Sequence, residues 1–260
     1  MSREIQQGSP LPLSDPPEAR LEGRRAVQEA LEAGKPIDKL YVQRGAEGLS
    51  RIIAQAIQAG GIVVDTDRAV MDQKSITGRH QGIIATLAAF RYATLDELFS
   101  RAESRGEKPL LVICDGLEDP HNLGAVIRSA EAAGAHGVII AKRRGVGLTA
   151  VTARTSAGAA LHLPVCRVPG IPAVLPELQA RGVWIYGLDA DGGTSVFDAD
   201  LRDGTALVLG AEGTGMSRLV RERCDFLLSI PMRGKVSSLN VSAAAAITLY
   251  QAVRCRTGPG

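Results

Sequence analysis

Two hydrophobic periods alternate along this chain, and their alternation sets the fold class. In GLSRIIAQAIQAG, Leu49, Ile52, Ile53, Ala56 and Ile57 recur at helical spacing and stop at Gly60. GRRAVQEALEAG reads the same way and ends on Gly34, as a helix should. Between and after them, DKLYVQ, GIVVDT and QGIIATLAAF are short apolar strands. Residues 21–90 therefore form a small α/β module. The stretch Arg91–Pro109 is charged, holds one amphipathic helical segment and ends in a Gly and Pro loop, so it reads as a linker.

The alternation resumes over residues 110–258. Strands are expected at LLVICDG, GVIIAK, VCRV, VWIYGL, ALVLG and FLLSI. Helices are expected at LGAVIRSAEAAG, AVTARTSAGAAL, PAVLPELQARG, SRLVRERC and VSAAAAITLYQAVR. Continuous apolar strands between helices imply a parallel sheet covered on both faces.

Composition narrows the class without naming a function. The 260 residues are 45% hydrophobic and 22% charged, as in a soluble globular protein. The net charge of +2 neither requires nor excludes a nucleic-acid partner. Of 30 basic residues 24 are Arg; Arg suits phosphate contacts, and codon bias explains the excess equally well. Cys114, Cys166, Cys224 and Cys255 lie far apart, which argues against a metal site or disulfide framework and for a reduced, cytoplasmic setting. Residues 1–20 are rich in Pro and Ser and read as a disordered tail with no stretch apolar enough for a signal peptide. No apolar run approaches the ~18 residues of a membrane span.

Ligands of open α/β sheets bind at the carboxyl ends of strands, and three such ends carry unusual residues. In DGLEDPHNLGAVIRSAE, Asn122 enters a helix and is open to two readings, a plain N-cap or a site residue. Arg128 interrupts the apolar pattern of that helix and is either a solvated side chain or a functional one. In LVLGAEGTGMS, a strand runs into Gly210, Gly213 and Gly215 around Glu212. The spacing is GxxGxG, not the GxGxxG of a dinucleotide loop. A carboxylate there would repel phosphate and suits a ligand with hydroxyls or positive charge. In SIPMRGKVSSLNVSAAAA, Ser237, Ser238, Asn240 and Ser242 crowd the mouth of an Ala-rich helix. Ser237 or Ser238 as N-cap would account for one of them, but not for the set.

The joint order of these segments resembles the three motifs of the SpoU/TrmH branch of the SPOUT RNA methyltransferases. The resemblance runs from Leu110 to Arg254, on NLGAVIRSAEAAG, VLGAEGTGMS and IPMRGKVSSLNVSAAAAITLYQAV. GRRAVQEAL and HQGIIA resemble the start and end of the L30e-like substrate-binding domain that precedes it. Ala211 stands where many relatives have Asn, and marks the subgroup of 23S rRNA guanosine 2'-O-methyltransferases that DPHNLGAVIRSAEAAG and GAEGTGM most resemble. The resemblance implies a trefoil knot formed by the tucked C-terminal segment, with S-adenosylmethionine held in it. It assigns catalysis to Asn122, Arg128, Glu212, Ser238 and Asn240. It assigns cofactor binding to Leu209, Gly210, Gly213, Ile230, Met232, Ser238 and Leu239. It also implies a homodimer and an RNA substrate, 23S rRNA or alternatively tRNA, with no metal and no membrane. An NAD-dependent oxidoreductase is disfavoured by the absent GxGxxG, and a non-catalytic RNA-binding protein by the intact polar set.

Overall fold

The chain is arranged around two sheets that share no strand. The computed structural model describes residues 20–143 and 145–258, so the tail expected at the N-terminus lies outside the described residues except for Arg20. The first unit runs β1 (Arg20–Glu22), α1 (Arg24–Glu32), β2 (Ile37–Gln43), α2 (Ser50–Gln58), β3 (Ile62–Thr66), α3 (Arg68–Lys74) and β4 (Ile83–Leu87). Its strand order is β1-β4-β2-β3, with only β2 and β3 parallel. Val27, Leu40, Ile52 and Ile83 fill its core. The strand β1 and helix α3 carry too few apolar residues to stand out in the sequence; both are placed by their neighbours.

The segment read as a linker is part of the second unit. Helix α4 (Leu95–Ser104) starts with a capping box, in which the Thr94 hydroxyl accepts from Glu97 N and the Glu97 carboxylate accepts from Thr94 N. Its Leu98 is fully buried against the large sheet. Gly137 makes the seat: a Cβ there would collide with the Leu98 side chain. Just before α4, Ala93 N donates to Val165 O at 2.8 Å, so the connecting chain runs along the sheet edge.

The second sheet contains β5 (Leu110–Asp115), β6 (Gly137–Ala141), β7 (Val165–Val168), β8 (Trp184–Leu188), β9 (Thr194–Ser195), β10 (Thr205–Gly210) and β11 (Phe226–Ser229). All paired neighbours are parallel, in the order β7-β6-β5-β10-β8-β11-β9. Successive side chains of a strand point to opposite faces. Leu110, Val112 and Cys114 accordingly join the core under α5 (Pro120–Ala132) and α9 (Val241–Thr257). Leu111 and Ile113 join the core under α4, α7 (Ile171–Ala180) and α8 (Arg218–Glu222). The helix expected over AVTARTSAGAAL is two pieces, α6 (Ala150–Thr155) and a 3-10 turn Ala159–Leu161, split where Ala157 and Gly158 take φ of 50° and 87°.

Helix α9 is tied down at both ends. Its small residues let it lie close to α5, burying Ala245, Leu249 and Ala252. At its last turn the Arg256 guanidinium donates to the carbonyls of Lys108, Pro109, Leu201 and Asp203. A cation is favoured at that end of a helix, and here it also joins α9 to the start of β5.

Candidate active site

Parallel pairing brings every strand's carboxyl end to one edge, and a cavity of about 640 Å³ opens there between β8, β10 and β11. Its floor is built by the glycine loop. A Cβ on Gly210 would collide with the backbone of Gly215 and Met216. Ala211 and Gly215 exchange two backbone hydrogen bonds, at 3.0 and 2.9 Å, closing the loop. Gly213 and Gly215 take φ of 78° and 68°, a region costly for side-chain-bearing residues. The three glycines thus have two physical duties, close approach at the first and left-handed backbone at the others. Asp115 Oδ2 accepts from Ser217 N at 2.7 Å and pins the loop's exit to the end of β5.

The opposite wall comes from residues 230–241. Of the positions expected to hold a cofactor, Leu209, Gly210, Gly213, Ile230, Met232, Ser238 and Leu239 all line the cavity. So do Glu212 and Asn240. A third wall, Leu188 to Asp191, went unrecognised in the sequence although it follows a strand in the sheet. The strand-end rule applied to VWIYGLDADGG would have found it. Bonds from Arg221 Nε (2.7 Å) and Asp191 N (2.9 Å) shape this wall at Asp189. The Arg221 bond, with the Asp191 N–H assisting, holds the Asp189 carboxyl below its ordinary range.

The crowded helix mouth resolves into a hydrogen-bonded cluster. Asn240, not Ser237 or Ser238, is the N-cap of α9, its Oδ1 accepting from Ser242 N at 2.9 Å and Ser242 Oγ at 2.6 Å. Its Nδ2 donates to Asn122 Oδ1 at 3.0 Å and to Glu212 Oε1 at 2.6 Å. Both ends of the amide are therefore fixed, since a flipped amide would set an oxygen against two oxygens. Asn122 is not an N-cap either: Asp119 caps α5, accepting from His121 N at 2.9 Å. Three residues from three separate segments, 118 positions apart at the widest, meet at one cavity rim. Among the described residues, Asn122 Nδ2 and Glu212 Oε2 have no hydrogen-bond partner, which leaves the cluster one donor and one acceptor unused. Ser238 lines the cavity but is outside this cluster.

Arg128 is placed elsewhere. It is exposed on α5, one turn beyond Gly124. Gly124 faces α6, where a Cβ would meet Thr155 Cβ at 2.7 Å. Among the described residues Arg128 makes no hydrogen bond or ion pair, either with Asn122, Glu212 and Asn240 or with any other residue. Among the described residues there is also no group of three or more His, Cys, Asp or Glu able to hold a metal. No helix among them is long and apolar enough to cross a membrane.

A parallel sheet with a strand-end cavity and an Asn–Asn–Glu cluster at its rim is the arrangement of a ligand-binding α/β domain. Comparison with known proteins supplies the family. The SpoU rRNA Methylase family matches residues 109–250, and the RNA 2'-O ribose methyltransferase substrate-binding family matches residues 20–93. The chain belongs to the SpoU family of RNA 2'-O-methyltransferases.

Among its relatives is the putative TrmH family tRNA/rRNA methyltransferase YacO of Bacillus subtilis. It is 43% identical over 240 residues, spanning 92% of this chain and 96% of YacO. The SpoU methyltransferase AviRb of Streptomyces viridochromogenes, solved in complex with the cofactor AdoMet, superposes with a TM-score of 0.60 at 31% identity. That match covers 92% of this chain and 90% of AviRb. A chain solved in a study of the 2-OH methylation of C/U34 on tRNA matches 58% of this chain and 99% of its own length, with a TM-score of 0.54 and 30% identity.

Proposed function

We propose that the chain transfers a methyl group from S-adenosylmethionine to the 2'-oxygen of a guanosine ribose in the peptidyl-transferase region of 23S rRNA, acting as a cytoplasmic homodimer. The observation that carries the reading is the Asn122–Asn240–Glu212 cluster at the rim of the strand-end cavity. The cavity's chemistry fits the cofactor. Leu209, Ile230, Met232 and Leu239 offer apolar surface to a purine, and Asp189, Asp191 and Glu212 suit a cationic ligand better than a phosphorylated one. When bound, S-adenosylmethionine supplies an electrophilic methyl group on a sulfonium centre.

The chain's own residues handle the weakly acidic ribose hydroxyl. Glu212 is held by Asn240, so its Oε2 can accept from a ribose hydroxyl without first reorganising, and its carboxylate would take up the proton released as the 2'-oxygen bonds to the methyl carbon and the sulfonium C–S bond breaks. Asn122 Nδ2 can donate to a ribose oxygen from the other side. Placement of this kind supplies much of the rate of a bimolecular transfer. Arg128 stabilises negative charge developing on the 2'-oxygen; its guanidinium stays protonated and is a poor base. Because Arg128 is exposed and makes no hydrogen bond to the cluster within one chain, the reading brings it to the site through RNA binding or from the partner in a dimer. The apolar residues around most of the circumference of α9 support such pairing, as do exposed Tyr250 and Phe197 beside it. The trefoil knot belongs to the same reading, supported by three loops converging on one cavity and α9 leaving from the third.

The subgroup wording GAEGTGM favours rRNA. The likeness to a chain studied for tRNA keeps tRNA as the alternative. Mapping 2'-O-methyl groups in rRNA and tRNA from cells with and without the protein tests this. One 23S guanosine mark should vanish, and should return with wild-type protein but not with Glu212→Gln. Loss of a tRNA mark alone would move the substrate to tRNA. No lost mark in either RNA would reduce the chain to a binding protein.

A further inference from the structure

The seam between the two sheets holds a charge pair that methyl transfer does not use. Asp38 in β2 and Arg167 in β7 lie 129 positions apart, and their side chains are 6% and 2% exposed. Arg167 donates to Asp38 Oδ1 and to the Gly60 carbonyl, both at 2.5 Å. The Tyr92 hydroxyl donates to the same Asp38 oxygen at 3.0 Å and accepts from Leu148 N at 2.9 Å. The guanidinium also lies over the Tyr92 ring, 3.8 Å from its centroid. Gly147 closes the cluster: a Cβ there would collide with Asp38 Oδ1 and come within 2.6 Å of the Tyr92 hydroxyl oxygen. Burial, with the Asp38 carboxylate assisting, pushes the Tyr92 phenol above its ordinary value, so it remains a donor.

These contacts give the seam a specific mechanical character. An apolar seam can slide at little cost. A buried ion pair cannot separate without stranding two charges away from water, and a planar guanidinium with fixed partners tolerates little rotation. The seam is also wired to the active site. Leu148 leads into Thr149, which caps α6, and α6 packs on Gly124 of α5. That helix carries both Asn122 and Arg128. Ala89 N adds a bond to Leu148 O at 2.7 Å. The chain of contacts therefore runs from the substrate-binding module to the helix that presents two of the reacting-site residues.

We propose that Asp38, Tyr92 and Arg167 are positioning residues: a buried latch that holds the substrate-binding module at one fixed offset from the Asn122–Asn240–Glu212 cluster, so that bound RNA presents a single ribose to the methyl donor. This rests on the reading of residues 20–93 as the RNA-holding module. The cofactor cavity lies at β8, β10 and β11, on the far side of β5 and β6 from β7. The latch acts on the alignment of RNA and not on the cofactor.

The test uses the full chain with Asp38→Asn, Arg167→Met and Tyr92→Phe, the last deleting only a hydroxyl and serving where the others fold poorly. Three quantities are read: S-adenosylmethionine affinity, small-angle X-ray scattering of the free protein, and single-turnover methylation over a range of RNA concentrations. Affinity for the cofactor should stay within about twofold, and scattering should show a larger maximum dimension. A misplacement of ~1 Å can cost ~100-fold in rate. The saturated rate should accordingly fall about 10- to 100-fold for Asp38→Asn and less for Tyr92→Phe, with the half-saturating RNA concentration within about threefold of wild type. Unchanged scattering would overturn the latch. So would wild-type saturated rates in a loosened variant, or cofactor binding and transfer falling together, as a merely structural role requires. If the wild-type chain methylates no RNA, the functional reading fails on its own, and the scattering comparison still decides whether the latch exists.

Discussion

Asn240→Asp separates the two duties of the residue at the helix mouth. Asp caps a helix about as well as Asn, so the bond from Ser242 N should survive. What changes is the other edge of the side chain. The Nδ2 donor that now lies 2.6 Å from Glu212 Oε1 and 3.0 Å from Asn122 Oδ1 becomes an acceptor. Losing a hydrogen bond to a carboxylate costs ~1.5–3 kcal/mol. Setting two carboxylates against each other at an exposed, water-like site adds ~1 kcal/mol. The sum, about 3 kcal/mol, corresponds to ~100-fold in rate if the cluster orients the ribose in the transition state. The assay is single-turnover transfer of labelled methyl from S-adenosylmethionine to RNA, beside a thermal melt. The melt should fall by several degrees, because the same contacts are lost in the free protein. A variant within threefold of wild type at pH 8 would remove the cluster from catalysis.

Three further outcomes are expected. Gly210→Ala should weaken S-adenosylmethionine binding at least tenfold by calorimetry and cost about 1–3 kcal/mol in denaturant unfolding, because its methyl meets the backbone of Gly215 and Met216 rather than a movable side chain. Arg128→Ala should leave cofactor affinity unchanged and lower transfer ~100- to 1,000-fold, with Arg128→Lys recovering little; a near wild-type single-turnover rate would return Arg128 to an ordinary solvated residue. Glu22 is subject to burial, which raises its pKa, but bonds from Ile76 N, Ser75 Oγ, Thr77 Oγ1 and Thr77 N outweigh that and lower it from 4.5 to about 2. Its contribution to stability is therefore full above pH 4.5 and is lost as pH falls towards 2, so Glu22→Gln should flatten the melting temperature between pH 5 and 3; equal slopes in both proteins would refute the assignment.

Local pattern alone was enough for six of the seven strands of the second sheet, which read as unbroken apolar runs such as LLVIC and ALVLG; the two-residue β9, Thr194–Ser195, has no such run and was missed. The three segments that carry Asn122, Glu212 and Asn240 were legible too, since polar and glycine residues following apolar strands stand out against their surroundings. Local pattern could not say which polar residue caps which helix. Asp119 and Asn240 win those positions through backbone geometry, which frees Asn122 and leaves Ser238 facing the cavity. Leu188–Asp191 was legible as the end of an apolar strand, but the strand order, which puts β8 beside β10, is what makes it a wall of this cavity. Leu98 reads as one apolar position in a charged stretch, and only the gap over Gly137 makes it core. The same holds for Asp38 and Arg167. Each is an ordinary charged residue in its own strand, and their burial together depends on docking two modules 129 positions apart in sequence. Short-range periodicity fixes which segments become strands and helices; which charges end up out of water is decided only when those segments pack.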